Sequence, residues 1–129
     1  MANTCCLAGI AICEVPKFRA ILQEPGGPDL VTVARLSVSE LGRLTPDTLV
    51  CDIDRVEVDP FELLRQIRFV LPGCIIAVYT GTVTRSRSRA CHLAGANCLL
   101  SKSSSFASLA RGLRSAERCG CFTDPSFAT

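Results

Sequence analysis

LVCDIDRVEVDPFELL, residues 49–64, is the stretch whose reading decides the fold. Leu49, Val50 and Cys51 form a short apolar run with β character that stops at Asp52. An acidic, irregular segment follows, and Pro60 then opens an amphipathic helical pattern. This order puts a carboxylate at the C-terminal mouth of a buried strand, where open α/β sheets place their sites. Asp52 and Asp54 read also as turn residues capping the next helix, the commoner duty of aspartate at a strand end. What stands elsewhere in the chain decides between the two.

Downstream, the helix expected from Pro60 to Leu71 turns Phe61, Leu64, Ile67 and Leu71 to one side, and Pro72-Gly73 ends it. CIIAVY, residues 74–79, is a continuous apolar run of the kind covered on both faces, and it gives way to Thr80-Gly81. A basic helical segment carries Arg85, Arg87 and Arg89, then Ala90 and Leu93, and ends at Ala94-Gly95. Asn97–Leu100 is the fifth strand, stopping at Ser101-Lys102. Ser103, Ser104 and Ser105 supply a cap for a last helix whose inner face is Phe106, Leu109, Ala110 and Leu113.

Upstream, LAGIAIC, residues 7–13, reads as the first strand, ending at Glu14. Pro16 starts a helix to about Gln23, which Glu24-Pro-Gly-Gly-Pro28 stops. LVTVA, residues 30–34, is the second strand; Ser37 or Ser39 caps a short helix with Val38, Leu41 and Leu44. Thr45-Pro46-Asp47 turns into the third strand. The pattern is five βα units, which calls for a parallel sheet with helices on both faces. The expected fold is an α/β, flavodoxin-like (βα)5 three-layer sandwich with a five-stranded parallel sheet.

Composition narrows the classes. The 129 residues suit one domain with a real core, and 48% apolar against 20% charged residues speaks against disorder. A net charge of +2 does not argue for nucleic acid, and no basic run interleaves with aromatics. The apolar stretch Cys5–Cys13 lacks a basic leader and is too short to span a bilayer, so a cytoplasmic chain without a membrane anchor is expected. Nine cysteines, mostly inside apolar runs (Cys13, Cys51, Cys74, Cys98), read as small buried hydrophobes in a reducing compartment. With one histidine, His92, and no C-x2-C pair, a structural zinc site is disfavoured. His92 is expected on the fourth helix, outside any chemistry.

Strand ends of a parallel sheet converge on one edge, so Glu14, Asp52, Thr80 and Lys102 can share one shallow pocket. Asp52 is a candidate nucleophile for phosphoryl transfer; charge repulsion between carboxylate and phosphoryl group calls for a divalent cation and fixed donors. Glu14 can hold Mg²⁺ beside Asp52, while Lys102 and the Thr80 hydroxyl contact phosphoryl oxygens, with Gly81 leaving room. In the alternative, Lys102 only neutralises buried carboxylates. A nucleotide- or flavin-binding protein is disfavoured, because Glu14-Val-Pro-Lys17 stands where a Gly-rich loop would follow the first strand.

From Leu7 to Gly120 the chain resembles the receiver (CheY-like) domain of bacterial response regulators. CEVPKFRAIL at 13–22 is similar to the acidic opening of the NarL/FixJ-type subgroup, DIDRVEVDPFELLRQIR to the phosphoacceptor segment, VYTG to the switch element and AGANCLLSKSS to the lysine segment. The resemblance implies Asp52 as phosphoacceptor, Thr80 as hydroxyl switch, Lys102 as phosphate-pairing lysine and Glu14 as metal ligand. It further implies a signalling module rather than an enzyme, phosphorylated by a histidine kinase and signalling or homodimerising through the face of the fourth helix, fifth strand and fifth helix. Residues 1–118 would be the receiver; CGCFTDPSFA would begin a tail or a linker to an output domain, through which alone DNA would be bound.

Departures weaken the acidic pocket. Cys13 replaces the first acid, and a thiol is a poor ligand for a hard cation. Arg55-Val56 stands for the usual Met-Pro, Pro60 for a glycine and Leu99 for the aromatic switch residue. Asp54 is the candidate replacement ligand, which makes the expected Mg²⁺ set Glu14, Asp52 and Asp54, a weakened one. The competing function is a phosphorylation-independent pseudo-receiver, a protein–protein interaction module. Arg85, Arg87 and Arg89 alternate rather than form one stripe; with Arg111, Arg114 and Arg118 they read as a solvated basic surface or a patch on the output face.

Overall fold

The computed structural model describes residues 3–23 and 25–128. Its strands are β1 (Thr4–Ala8), β2 (Asp29–Val33), β3 (Thr48–Asp52), β4 (Ile75–Thr80), β5 (Cys98–Ser101) and β6 (Phe122–Thr123). Its helices are α1 (Val15–Leu22), α2 (Val38–Leu44), α3 (Pro60–Val70), α4 (Arg85–Leu93) and α5 (Phe106–Cys119). The sheet runs β2-β1-β3-β4-β5-β6 with every neighbouring pair parallel.

Alternation along the strands sorts the core into two layers. Cys51, Ile76, Val78 and Leu99 face α2, α3 and α4, joined by Leu41, Leu64 and Ile67. Leu7, Val50, Ala77, Tyr79 and Leu100 face α1 and α5, joined by Phe18, Leu109 and Leu113. Ser37 and Ser105, both expected as caps, accept from the Glu40 and Ser108 amides, whereas α3 is capped by Asp59, which accepts from Phe61 and Glu62, rather than by Asp52 or Asp54. Thr84 caps α4 by accepting from the Arg87 amide.

Three expectations need correction. The first strand lies earlier than Leu7–Cys13, because pairing of Cys5 with Thr48 and Ala8 with Cys51 sets its register, and Gly9, at φ +68°, turns the chain out of the sheet. Cys13 and Glu14 therefore sit in a 3-10 turn, Ile12–Glu14, and Cys13 is exposed rather than a core residue. The sheet has six strands rather than five, since Phe122–Thr123 adds to the edge of β5. Of the turn expected to stop the first helix, Glu24 lies outside the described residues; α1 ends at Gln23, whose amide bonds the Arg19 carbonyl.

The added strand brings the tail against the body of the protein. Phe127 is buried in the layer of α2, α3 and α4, and Arg85 Nε donates to the Ala128 carbonyl. His92, on α4, places its Nε2 3.0 Å from the Thr123 hydroxyl. Cys5, Cys6, Cys51, Cys74, Cys91 and Cys98 are buried and Cys119 and Cys121 exposed, and none of the nine is in a disulfide. Burial pushes the Cys5 thiol up to about 12 and that of Cys6 to about 11, so both stay protonated and apolar. No helix among the described residues is long and apolar enough to cross a membrane.

Candidate functional site

β3, β4 and β5 end side by side, and their last residues or the ones just after carry the polar groups. The register sets Asp52 against Tyr79 and Thr80 against Ser101, so Asp52, Thr80 and Lys102 gather at one edge. The Asp52 side chain is 1% exposed and its Oδ2 lies 2.8 Å from Lys102 Nζ. Its Oδ1 accepts from the Asp54 amide at 2.8 Å, the turn bond that an aspartate at a strand end makes.

Asp54 meets the other two strand ends. Thr80 Oγ1 donates to its Oδ1 at 2.6 Å and the Gly81 amide to its Oδ2 at 2.8 Å. Lys102 Nζ reaches the same Oδ2 at 3.1 Å and so bridges both carboxylates. Burial raises the Asp54 carboxyl pKa, but the Gly81 amide, the Thr80 hydroxyl and Lys102 outweigh it and hold the group below its usual value. For Lys102, burial works against the charge, and the bonds to Asp52 and Asp54 overcome it and raise its pKa. Next to Asp52 a cleft of about 380 Å³ opens, lined by Gly9, Arg35, Leu36, Arg55 and Leu63 among others.

Glu14 stands apart from this cluster. Its Oε1 accepts from the Tyr79 hydroxyl at 2.9 Å and lies 3.5 Å from Lys17 Nζ. Tyr79 belongs to the α1/α5 layer, where it meets Phe18 edge-on with ring centroids 5.0 Å apart. The expected set of Glu14, Asp52 and Asp54 is therefore not formed: among the described residues no group of three or more His, Cys, Asp or Glu side chains is placed to hold a metal ion. The reason is the strand shift, since the end of β1 at Ala8-Gly9 presents no carboxylate to the pocket. The remaining pair, Asp52 and Asp54, already has an ammonium between its carboxylates. These residues do not fit a Mg²⁺ ion in the present arrangement, because its place as counter-charge is taken.

Leu99 is fully buried against the α2/α3/α4 layer, as expected of a leucine on that strand. Of the arginines, Arg87 sits over the Phe61 ring at 5.5 Å and Arg85 holds the tail, so the α4 charges do not act as one patch. The sequence reading missed the double engagement of Asp54. The signal was its separation from Asp59, which caps α3 and leaves Asp54 without a helix to cap.

No family model matches the chain, and no curated protein matches it in sequence. Solved structures do match. A LuxR-family two-component response regulator from Aurantimonas sp. SI85-9A1 is 23% identical, covers 99% of this chain and 94% of its own, and superposes with TM-score 0.80. The isolated REC domain of RcsB from Salmonella enterica serovar Typhimurium, solved with phosphomimetic BeF3⁻, is 17% identical over 98% of this chain and 96% of its own, with TM-score 0.81. A response regulator from Thermotoga maritima is 17% identical over 88% and 96%, with TM-score 0.75. The fold of this chain is that of response-regulator receivers.

Proposed function

We propose that the chain is a signal-transduction receiver that takes a phosphoryl group onto Asp52. The observation that carries the reading is the Asp52 carboxylate, buried at the end of β3 with Lys102 at 2.8 Å. The cleft beside it, flanked by Arg35 and Arg55, suits an anionic donor. An Asp52 oxygen attacks phosphorus, the P–N bond of a phosphohistidine donor breaks, and the leaving nitrogen takes a proton. Lys102 and the Thr80 hydroxyl are the groups to receive charge on the phosphoryl oxygens.

The donor in this reading is a histidine kinase and the setting cytoplasmic. Any DNA binding belongs to an output domain reached through residues 119–129, with residues 1–118 as the receiver. Homodimerisation through α4, β5 and α5 has to accommodate β6, which pairs with β5 on that edge. A Mg²⁺ ion would have to displace Lys102 from between Asp52 and Asp54. Neighbours that are response regulators, among them the phosphorylated phytochrome response regulator RcpA, favour a phosphoaccepting module over a phosphorylation-independent one.

The reading is tested by treating the protein with phosphoramidate and trapping the acyl phosphate with borohydride, which turns a phosphorylated aspartate into homoserine. Tandem mass spectrometry should find homoserine at position 52. Homoserine at 54 instead would move the acceptor.

A further inference from the structure

The Asp54 side chain makes contacts that its local position does not call for. An aspartate in a strand-to-helix loop ordinarily closes a turn or caps the helix. Here Asp52 makes the turn bond, and Asp59 caps α3 by accepting from Phe61 and Glu62. Asp54 points away from its own helix and takes the Thr80 hydroxyl, the Gly81 amide and the Lys102 ammonium.

Of those three donors the ammonium also contacts the buried Asp52 carboxylate, and the hydroxyl and amide stand at the end of β4, the strand paired with that of Asp52. A phosphoryl group on Asp52 would present its terminal oxygens to that set. We infer that the Asp54 carboxylate is a built-in occupant of the phosphoryl-binding donors, and that it sets how readily the pocket accepts a tetrahedral oxyanion. The inference rests on the reading of Asp52 as acceptor and names the residue that tunes it.

The chemistry of exchange follows. Asp54 supplies two oxygens and a single negative charge, whereas a phosphoryl group supplies three oxygens and more charge. The incoming group must displace Asp54, because the Thr80 hydroxyl and the Gly81 amide each have a single hydrogen to donate and Asp54 takes both. Displacement is local: Asp54 lies beyond the end of β3, and its side chain is 24% exposed, against 1% for Asp52. Until it leaves, the Thr80 hydroxyl is held by an anion, as it would be by a phosphoryl oxygen. The low carboxyl pKa of Asp54 agrees with a carboxylate held by donors.

The test uses the full chain as wild type, Asp54→Asn and Asp54→Ala, with two readouts. The first is the Gly81 amide proton resonance, which should move upfield in Asp54→Ala as its carboxylate acceptor is lost. An unmoved resonance would overturn the inference whatever the labelling does. The second is the rate of phosphoryl adduct formation with phosphoramidate, followed by intact mass. Asp54→Ala should label faster than wild type by roughly tenfold, the rate equivalent of one charge-assisted hydrogen bond. Asp54→Asn should fall between, since its one carboxamide oxygen can still accept from Thr80 or from Gly81, one bond in place of two. Equal acceleration by Ala and Asn would overturn occupancy in favour of simple charge repulsion. A shifted Gly81 amide with no adduct on any variant would uphold occupancy and overturn the acceptor reading of Asp52.

Discussion

Arg68 and Lys102 are cations at opposite ends of the same sheet, and they meet opposite kinds of partner. Arg68, on α3, donates to the carbonyls of Leu71, Pro72, Cys74 and Gly95 and to Asn97 Oδ1, closing the end where β4 and β5 begin. Gly95, at φ +112°, is needed there, since a Cβ would stand 2.8 Å from that of Arg68. Every acceptor is neutral. At the other end Lys102 meets two carboxylates, one of them buried. A planar fork satisfied by carbonyls fixes geometry; an ammonium shared between carboxylates can exchange one anion for another. The difference separates the end of the sheet that holds it together from the end where carboxylates gather around a cation.

Replacing the fork should cost most. Arg68→Ala strands several carbonyls and should destabilise the protein by about 3 kcal/mol or more in chemical denaturation. Because its acceptors do not titrate, the loss should be flat between pH 4 and 8, values bracketing neutral conditions around the usual carboxylate range. A strongly pH-dependent loss would erase the contrast between the two ends.

Lys102→Met should cost less, about 1–2 kcal/mol at neutral pH, because the ammonium is partly solvated. Its loss should depend on pH. Asp54 has a depressed pKa, so its stabilisation is fully present above the unfolded value of about 3.9 and disappears as pH falls through the folded value. The gap between wild type and Lys102→Met should therefore narrow in acid. A gap that widened in acid would mean that Lys102 does not act through the carboxylates.

Asp124 offers the smallest and sharpest control. Among the described residues it is held by the Ser126 amide and hydroxyl and by the Ser104 hydroxyl, all neutral donors. Burial raises its pKa, yet the two Ser126 bonds and the Ser104 bond prevail and keep it low. Its stabilisation is also lost as pH falls below the ordinary carboxylate range, but Lys102→Met should leave that loss untouched. Asp124→Asn should cost about 1 kcal/mol, read by denaturation at pH 7.

Much of this could be read in the sequence. Proline at the start of α3 and a serine at the start of α5 marked helix boundaries, and the apolar runs ending at Asp52, Thr80 and Ser101 marked three strand ends. The first strand misled because the whole of Cys5–Cys13 is apolar, and several five-residue windows in it serve equally well as a strand. Only pairing of Cys5 with Thr48 decides among them. That register displaced Glu14 from the pocket and gave it to Tyr79. Arg68 was hidden for another reason: its partners are backbone carbonyls, which leave no trace in residue identity. The sixth strand escaped because two residues, Phe122–Thr123, are too few to show a period.

The most direct measurement is the intact mass of wild type and Asp52→Asn after incubation with phosphoramidate, with and without Mg²⁺. The expected result is a single phosphoryl adduct on wild type that is absent from Asp52→Asn. An adduct of equal yield on Asp52→Asn would contradict the assignment of the strand end as acceptor.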